Sequence, residues 1–428
     1  MRMWLIIILL SVAATSFSQI LTTDSLINDV DIDSQEEVRL NPEIVYGGEE
    51  NAILIPSFIK KSANHIKLNG DDWSDISGKQ LEGKLTIVHI GDSHIQAEFG
   101  TSITREMLQL RYGNAGRGLI TPFRLEGTNQ PRDYGFESSS RWTAEKVMRA
   151  PWSKPMGFNG ASLTLVGQSG NITLSTTESE DEYNPFSRIT LFYKGDINIT
   201  GIKDENGVPI VYTVAKHLPG EIELALWSQV DKVTIDFDVM ESLTLFGAVL
   251  SNERNGVMYH AIGNNGAAYQ TYCHIPDMAE GVSSLNPDII IVSLGTNEAF
   301  GRLSTATFRS CVDQLVTRLR KNNPSAHLLL VTPMECRRRI TRKVGRRRSV
   351  TSYEVNPNIL PLRNVLLSYA SKNGIAVYDW YDVAGGTGAS TQWNEAELFG
   401  KDGVHHTVTG YRINGRLLYD ALQEAIDK

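Results

Sequence analysis

Between residues 145 and 247 the chain changes its period. Eight short runs there alternate apolar and polar residues: 162–166, 171–174, 188–193, 197–200, 210–213, 221–224, 232–237 and 243–246. Turn residues separate them, as at Gly167–Gly170, Lys194–Asp196 and Glu205–Gly207. Alternation turns one face of each strand inward, and a series of such short strands predicts a β-sandwich.

On either side of this stretch, strands and helices take turns. Lys84–Ile90 reads as a buried strand, and 100–111 as a helix with Ile103, Met107 and Leu110 on one face. Further on, strands at Val257–Ala261, Asp288–Leu294, His327–Val331 and Ile375–Tyr378 are separated by helical patterns. Ser304 is expected to cap one of these helices and Thr409 the last. Buried strands interleaved with helices make a parallel sheet covered on both faces. The expected fold is therefore α/β. A three-layer parallel-sheet domain at 76–144 and 248–428 is interrupted by the sandwich at 145–247.

The first 18 residues have a basic start, a short apolar core and a small-residue exit, the layout of a secretory signal peptide. An exported protein of the periplasm or extracellular envelope is expected, with an extended lead-in at 19–75. No second long apolar run follows, so the mature chain is expected to lack an integral membrane span. Cys273, Cys311 and Cys336 are too few and too scattered for a disulfide scaffold or a Cys-rich zinc module. A net charge of −8 argues against a dedicated nucleic-acid binder.

Polar residues collect at the expected strand ends, where parallel sheets bind their ligands. Gly91-Asp92-Ser93 follows the first buried strand, and a serine there is either exposed for chemistry or a helix cap. Gly263-Asn-Asn-Gly266 follows the next strand, and either glycine leaves room for a free backbone N–H. Asn297, in Gly295-Thr-Asn297, could donate to an oxyanion or cap a helix. Asp402-Gly-Val-His405 places a carboxylate and an imidazole on one turn before the last helix. A serine nucleophile needs such a base and such an orienting group. His406 competes with His405 for the base, and Asp402, His405 and His406 together could form a metal site.

In this order the blocks resemble the SGNH (GDSL-type) hydrolase family. The resemblance covers about 81–144 and 257–428 and implies a serine hydrolase needing no metal or organic cofactor. It makes Ser93 the nucleophile, His405 the base and Asp402 its orienting group. The Ser93 N–H, the Gly266 N–H and the Asn297 amide become the oxyanion hole. His94 replaces the family's usual Leu and Glu298 its usual Asp. Both replacements are similar to the branch that resembles peptidoglycan O-acetylesterases, as are Gly91–Gln96, Gly113–Gly118 and Gly295–Phe300. That branch carries an inserted sandwich resembling a carbohydrate-binding module. The implied partner is an acetylated glycan, most specifically the C6 O-acetyl group of N-acetylmuramic acid. Other acetylated glycans, acetyl transfer, and a non-catalytic glycan-binding protein are the alternatives.

One further run stands out. Arg337–Arg348 holds eight basic residues in twelve, on the strand-end side of an otherwise acidic chain. It reads either as a solvated loop or as a capture site for an anionic polymer, through Arg346, Arg347 and Arg348. Trp142 and Trp152 are candidates for stacking on sugar rings, or for the core.

Overall fold

The computed structural model describes residues 53–77, 83–176, 185–302, 304–344 and 348–428. The signal-peptide expectation lies outside these. The fold is mixed α/β with several sheets.

The sheet that positions the site has six strands: β1 (Ile66–Lys67), β2 (Lys84–Gly91), β3 (Gly256–Gly263), β4 (Ile289–Ser293), β5 (His327–Val331) and β6 (Ala376–Tyr378). Their order across the sheet is β1-β6-β5-β4-β2-β3. All neighbours are parallel except β1, which runs antiparallel to β6. Side chains alternate across the pleat and feed two cores. Leu85 and Ile87 join Ile103, Leu108, Ile413 and Leu417 on one face. Val88 and Ile90 join Tyr272, Phe308, Val312 and Leu366 on the other. Helices Thr101–Tyr112 and Val408–Ile426 thus cover one face, and Tyr269–His274, Thr305–Asn322 and Ile359–Asn373 the other. Among the described residues no helix is long and apolar enough to cross a membrane.

Four local expectations change. Ser304 does cap its helix, its hydroxyl accepting from Thr307 N–H, but the last helix is capped by Thr407 rather than Thr409. Thr407 is the residue whose extended backbone lets its hydroxyl reach the Gly410 N–H. Residues 53–75, expected in an extended lead-in, pack on the core through Ile59, Ile66 and Trp73. His327 holds this segment, its two ring nitrogens lying 2.9 Å from Asp71 and 2.7 Å from Asp75.

The third change concerns the β-rich stretch, where pairing begins before residue 145. Strands Gly118–Ile120, Tyr134–Glu137 and Trp142–Ala144 join sheets of seven and four antiparallel strands. The inward faces of both sheets share one apolar core, including Phe136, Leu174, Phe186, Leu191 and Ile235. The fourth is the basic run, which is a β-hairpin, Arg337–Lys343 paired with Ser349–Val355, rather than a loop. A strand of charged residues carries no apolar alternation to announce it.

Candidate active site

Strand β2 ends at Gly91, and the chain turns directly into the short helix Ser93–Gln96. Asp92 caps that helix by accepting from the His94 N–H at 3.0 Å, which leaves the Ser93 side chain free of capping duty. Ser93 Oγ lies 2.8 Å from His405 Nε2. His405 Nδ1 lies 2.5 Å from Asp402 Oδ2. Asp402 is fixed by its own turn, its Oδ1 accepting from Val404 N–H at 2.8 Å and His405 N–H at 3.0 Å. Three side chains from opposite ends of the chain thus form one connected line.

The electrostatics set the tautomer. Burial raises the Asp402 pKa, but the His405 hydrogen bond and charge and the two turn N–H groups outweigh it and hold it at about 2. The carboxylate is therefore ionised near neutrality and only accepts. His405 must place its proton on Nδ1 and leave Nε2 to accept from the Ser93 hydroxyl. Burial disfavours protonated His405, yet Asp402, with Asp92, keeps its pKa above the ordinary histidine value.

The two histidines separate cleanly. His406 faces the other way, with Nε2 3.1 Å from Met334 Sδ and its ring against Trp393, Phe399 and Tyr411. Burial pushes its pKa down to about 3. His405 and His406 therefore do not converge on a common ion, and among the described residues no cluster of His, Cys, Asp or Glu is arranged to hold a metal. His94 sits between them, its ring 5.2 Å from His405 and its Nδ1 3.0 Å from the Tyr411 hydroxyl. It fills the space behind the candidate base.

The remaining blocks arrive at the same strand ends. Asn297 occupies a cap position, but its side chain caps nothing. Its amide donates instead to Ala267 O at 2.9 Å and to Asp92 Oδ2 at 3.3 Å, joining the neighbours of Gly266 and Ser93. The two glycines also separate. A Cβ on Gly263 would stand 2.2 Å from the Gln96 backbone nitrogen, so this glycine serves close packing. Gly266 turns with φ +80°, and a Cβ there would meet only Met148 Cε at 3.6 Å. Close packing therefore holds Gly263 but not Gly266.

Two residues of the sequence blocks, Gln96 and Glu298, take supporting roles that the sequence alone does not show. Gln96 accepts from the Asn265 N–H at 2.7 Å and donates to Asn129 Oδ1 at 2.9 Å. The helix that starts with Ser93 thus clamps the turn holding Gly266. Glu298 accepts from the Tyr269 N–H at 2.8 Å, anchoring the far side of that turn. Burial lifts its pKa to about 7. Gln96 stands in the Gly91–Gln96 block, but its target lies 169 residues away.

Other candidates fall elsewhere. Arg346 and Arg347 lie outside the described residues, and Arg348 stands at the hairpin turn, its carbonyl accepting from Val344 N–H. Trp142 packs on Phe237 and donates to Ser138 Oγ. Trp152 donates to the carbonyls of Lys146 and Val147. Both are half-buried, whereas Trp227 is 79% exposed.

Residues 243–413 match the GDSL-like Lipase/Acylhydrolase family, a segment that holds Gly266, Asn297, Asp402 and His405. Over this segment the chain carries a GDSL-like lipase/acylhydrolase domain. Ser93 precedes the matched segment because the β-rich stretch divides the hydrolase domain. Among solved structures, the chain is similar to one described as "Peptidoglycan O-acetylesterase in action", with TM-score 0.68 and 22% identity over 84% of this chain and 99% of that one. Lower similarity is found to a lipase/acylhydrolase from Enterococcus faecalis, with TM-score 0.29 and 20% identity over 40% and 77% of the two chains. A family two carbohydrate esterase from Cellvibrio japonicus has TM-score 0.28 and 12% identity over 69% and 98%. No curated protein matches the chain.

Proposed function

We propose that this hydrolase is an exported serine esterase that removes O-acetyl groups from a cell-wall glycan, with the C6 O-acetyl group of N-acetylmuramic acid as its substrate. The observation that carries the reading is the hydrogen-bonded line from Ser93 through His405 to Asp402. A hydroxyl at that distance from a neutral imidazole can pass its proton to Nε2 as its oxygen attacks the acetyl carbonyl. The imidazolium formed is stabilised by ionised Asp402. Negative charge developing on the carbonyl oxygen is met by the N–H groups of Ser93 and Gly266 and by the Asn297 amide, one of whose two hydrogens leaves its 3.3 Å contact with Asp92 Oδ2. His405 then returns the proton to the departing sugar oxygen. Water, deprotonated by the same nitrogen, releases acetate from Ser93.

Similarity to the peptidoglycan O-acetylesterase and the blocks Gly91–Gln96, Gly113–Gly118 and Gly295–Phe300 support this substrate. The interrupting pair of sheets is proposed to be a β-sandwich resembling a carbohydrate-binding module. The test is acetate release from O-acetylated peptidoglycan measured beside acetylated xylan. Faster release from peptidoglycan is expected. Equal or faster release from xylan would reassign the substrate while leaving the esterase chemistry in place.

A further inference from the structure

The basic run becomes informative once it is seen as a hairpin. Its register pairs Arg337 with Val355, Arg339 with Tyr353, Thr341 with Thr351 and Lys343 with Ser349. Alternation puts these pairs on one face and Arg338, Ile340, Arg342, Ser352 and Glu354 on the other. The hydroxyls of Thr341 and Thr351 confirm the shared face, 3.1 Å apart. The two faces differ in exposure and in charge. Arg338, Ile340, Ser352 and Glu354 are half-buried, and Arg342 pairs with Glu354 at 2.7 Å. Arg339, Lys343 and Tyr353 are exposed. Their face carries no acidic residue, and among the described residues neither Arg339 nor Lys343 has an ion-pair partner.

The hairpin stands on the candidate site. Arg337 N–H donates to Gly403 O at 2.8 Å, within the Asp402–His405 turn. At the other leg, Asn356 donates from its side chain to Ala299 O, two residues beyond Asn297. From this base, Arg339 and Lys343 stand about 13 Å apart along the strand, at roughly 3.3 Å per residue, while Arg337 is half-buried and donates to Tyr353 O. A single small anion cannot engage a row of that length, whereas a polymer with repeated negative charge can. Tyr353, directly across from Arg339, adds a flat apolar surface of the kind that lies against sugar rings.

We propose that the Arg339–Lys343–Tyr353 face of the hairpin is a docking surface for a glycan chain bearing carboxylates, and that it feeds that chain to the Ser93 site. This rests on the glycan-esterase reading. The interaction is exposed and screened, with a Debye length of about 8 Å at physiological salt, so it strengthens capture at low salt rather than the chemical step.

The experiment measures binding of the full chain to polygalacturonate, a carboxylate polysaccharide without acetyl groups, with dextran and inorganic polyphosphate as comparison polymers. Polygalacturonate is expected to bind tightest, weakening with salt. Replacing both cations (Arg339→Ser with Lys343→Ser) should weaken it about tenfold at low salt, the scale of two exposed ion pairs. Arg342→Ser, on the opposite face, should change it less than about twofold. Turnover of a small neutral acetyl ester should be the same in all three proteins. Unchanged binding in the double variant, equal binding to dextran, or tighter binding to polyphosphate would overturn the proposal. Loss of ester turnover in the wild type with binding intact would instead sink the esterase reading.

Discussion

The two halves of this molecule spend their polar residues differently. In the β-rich segment polar side chains face solvent and apolar ones fill a core shared by two sheets. In the parallel domain, Asp92, Ser93, Asn264, Asn297, Asp402 and His405 gather beyond the carboxyl ends of buried strands. There they bond to one another or to turn backbone. The difference follows from geometry. An antiparallel sheet closes its strand ends with tight turns, whereas parallel strands release the chain into longer turns at one common edge. Chemistry collects at that edge because four separate chain segments meet there.

Substitutions in the two regions should therefore fail in different ways. Ser93→Ala should lower kcat on an acetyl ester by about a millionfold, the scale of losing a triad nucleophile, with unfolding by denaturant unchanged. Phe186→Ala in the β-rich core should do the reverse. Phe186 is fully buried, and its truncation should cost about 3–5 kcal/mol in chemical denaturation while the folded protein keeps its kcat. Should that variant lose kcat in proportion to stability, the two regions would be one functional unit. Asn297→Ala should lower kcat by about a hundred- to a thousandfold, as for one oxyanion donor. A loss confined to stability would make Asn297 a strut between Asp92 and Ala267.

A smaller effect separates the adjacent histidines. The rate requires neutral His405, whose pKa is raised, so kcat/KM should climb with pH through a step above the ordinary histidine value of about 6.5. His406 is neutral throughout that range, its pKa lying at about 3. The step should survive in His406→Phe, measured as a pH–rate profile. A profile that falls over this range, or a step that vanishes in that variant, would move the base away from His405.

Much of this was legible in the chain because buried parallel strands announce themselves as apolar runs. Lys84–Gly91, His327–Val331 and the blocks at their ends follow from pattern alone. What stayed hidden depends on partners distant in sequence. Gly118–Ile120 is a strand because it pairs with Ala248–Leu250. Residues 53–75 are too polar to declare a core role, and they dock through Trp73 and through His327 on its two aspartates. The different packing of Gly263 and Gly266 depends on the Gln96 backbone, and the different settings of His405 and His406 on the aromatic wall around His406.

The proposal that Ser93 is the nucleophile can be tested by covalent labelling. A fluorophosphonate probe reacts only with a serine activated by a neutral base beside an oxyanion hole. Digestion and mass spectrometry should find the label on the peptide containing Ser93, in proportion to lost esterase activity. Labelling should slow as pH falls below the His405 transition and disappear in Ser93→Ala. An active enzyme that stays unlabelled at Ser93, or carries the label on another serine, would contradict the assignment.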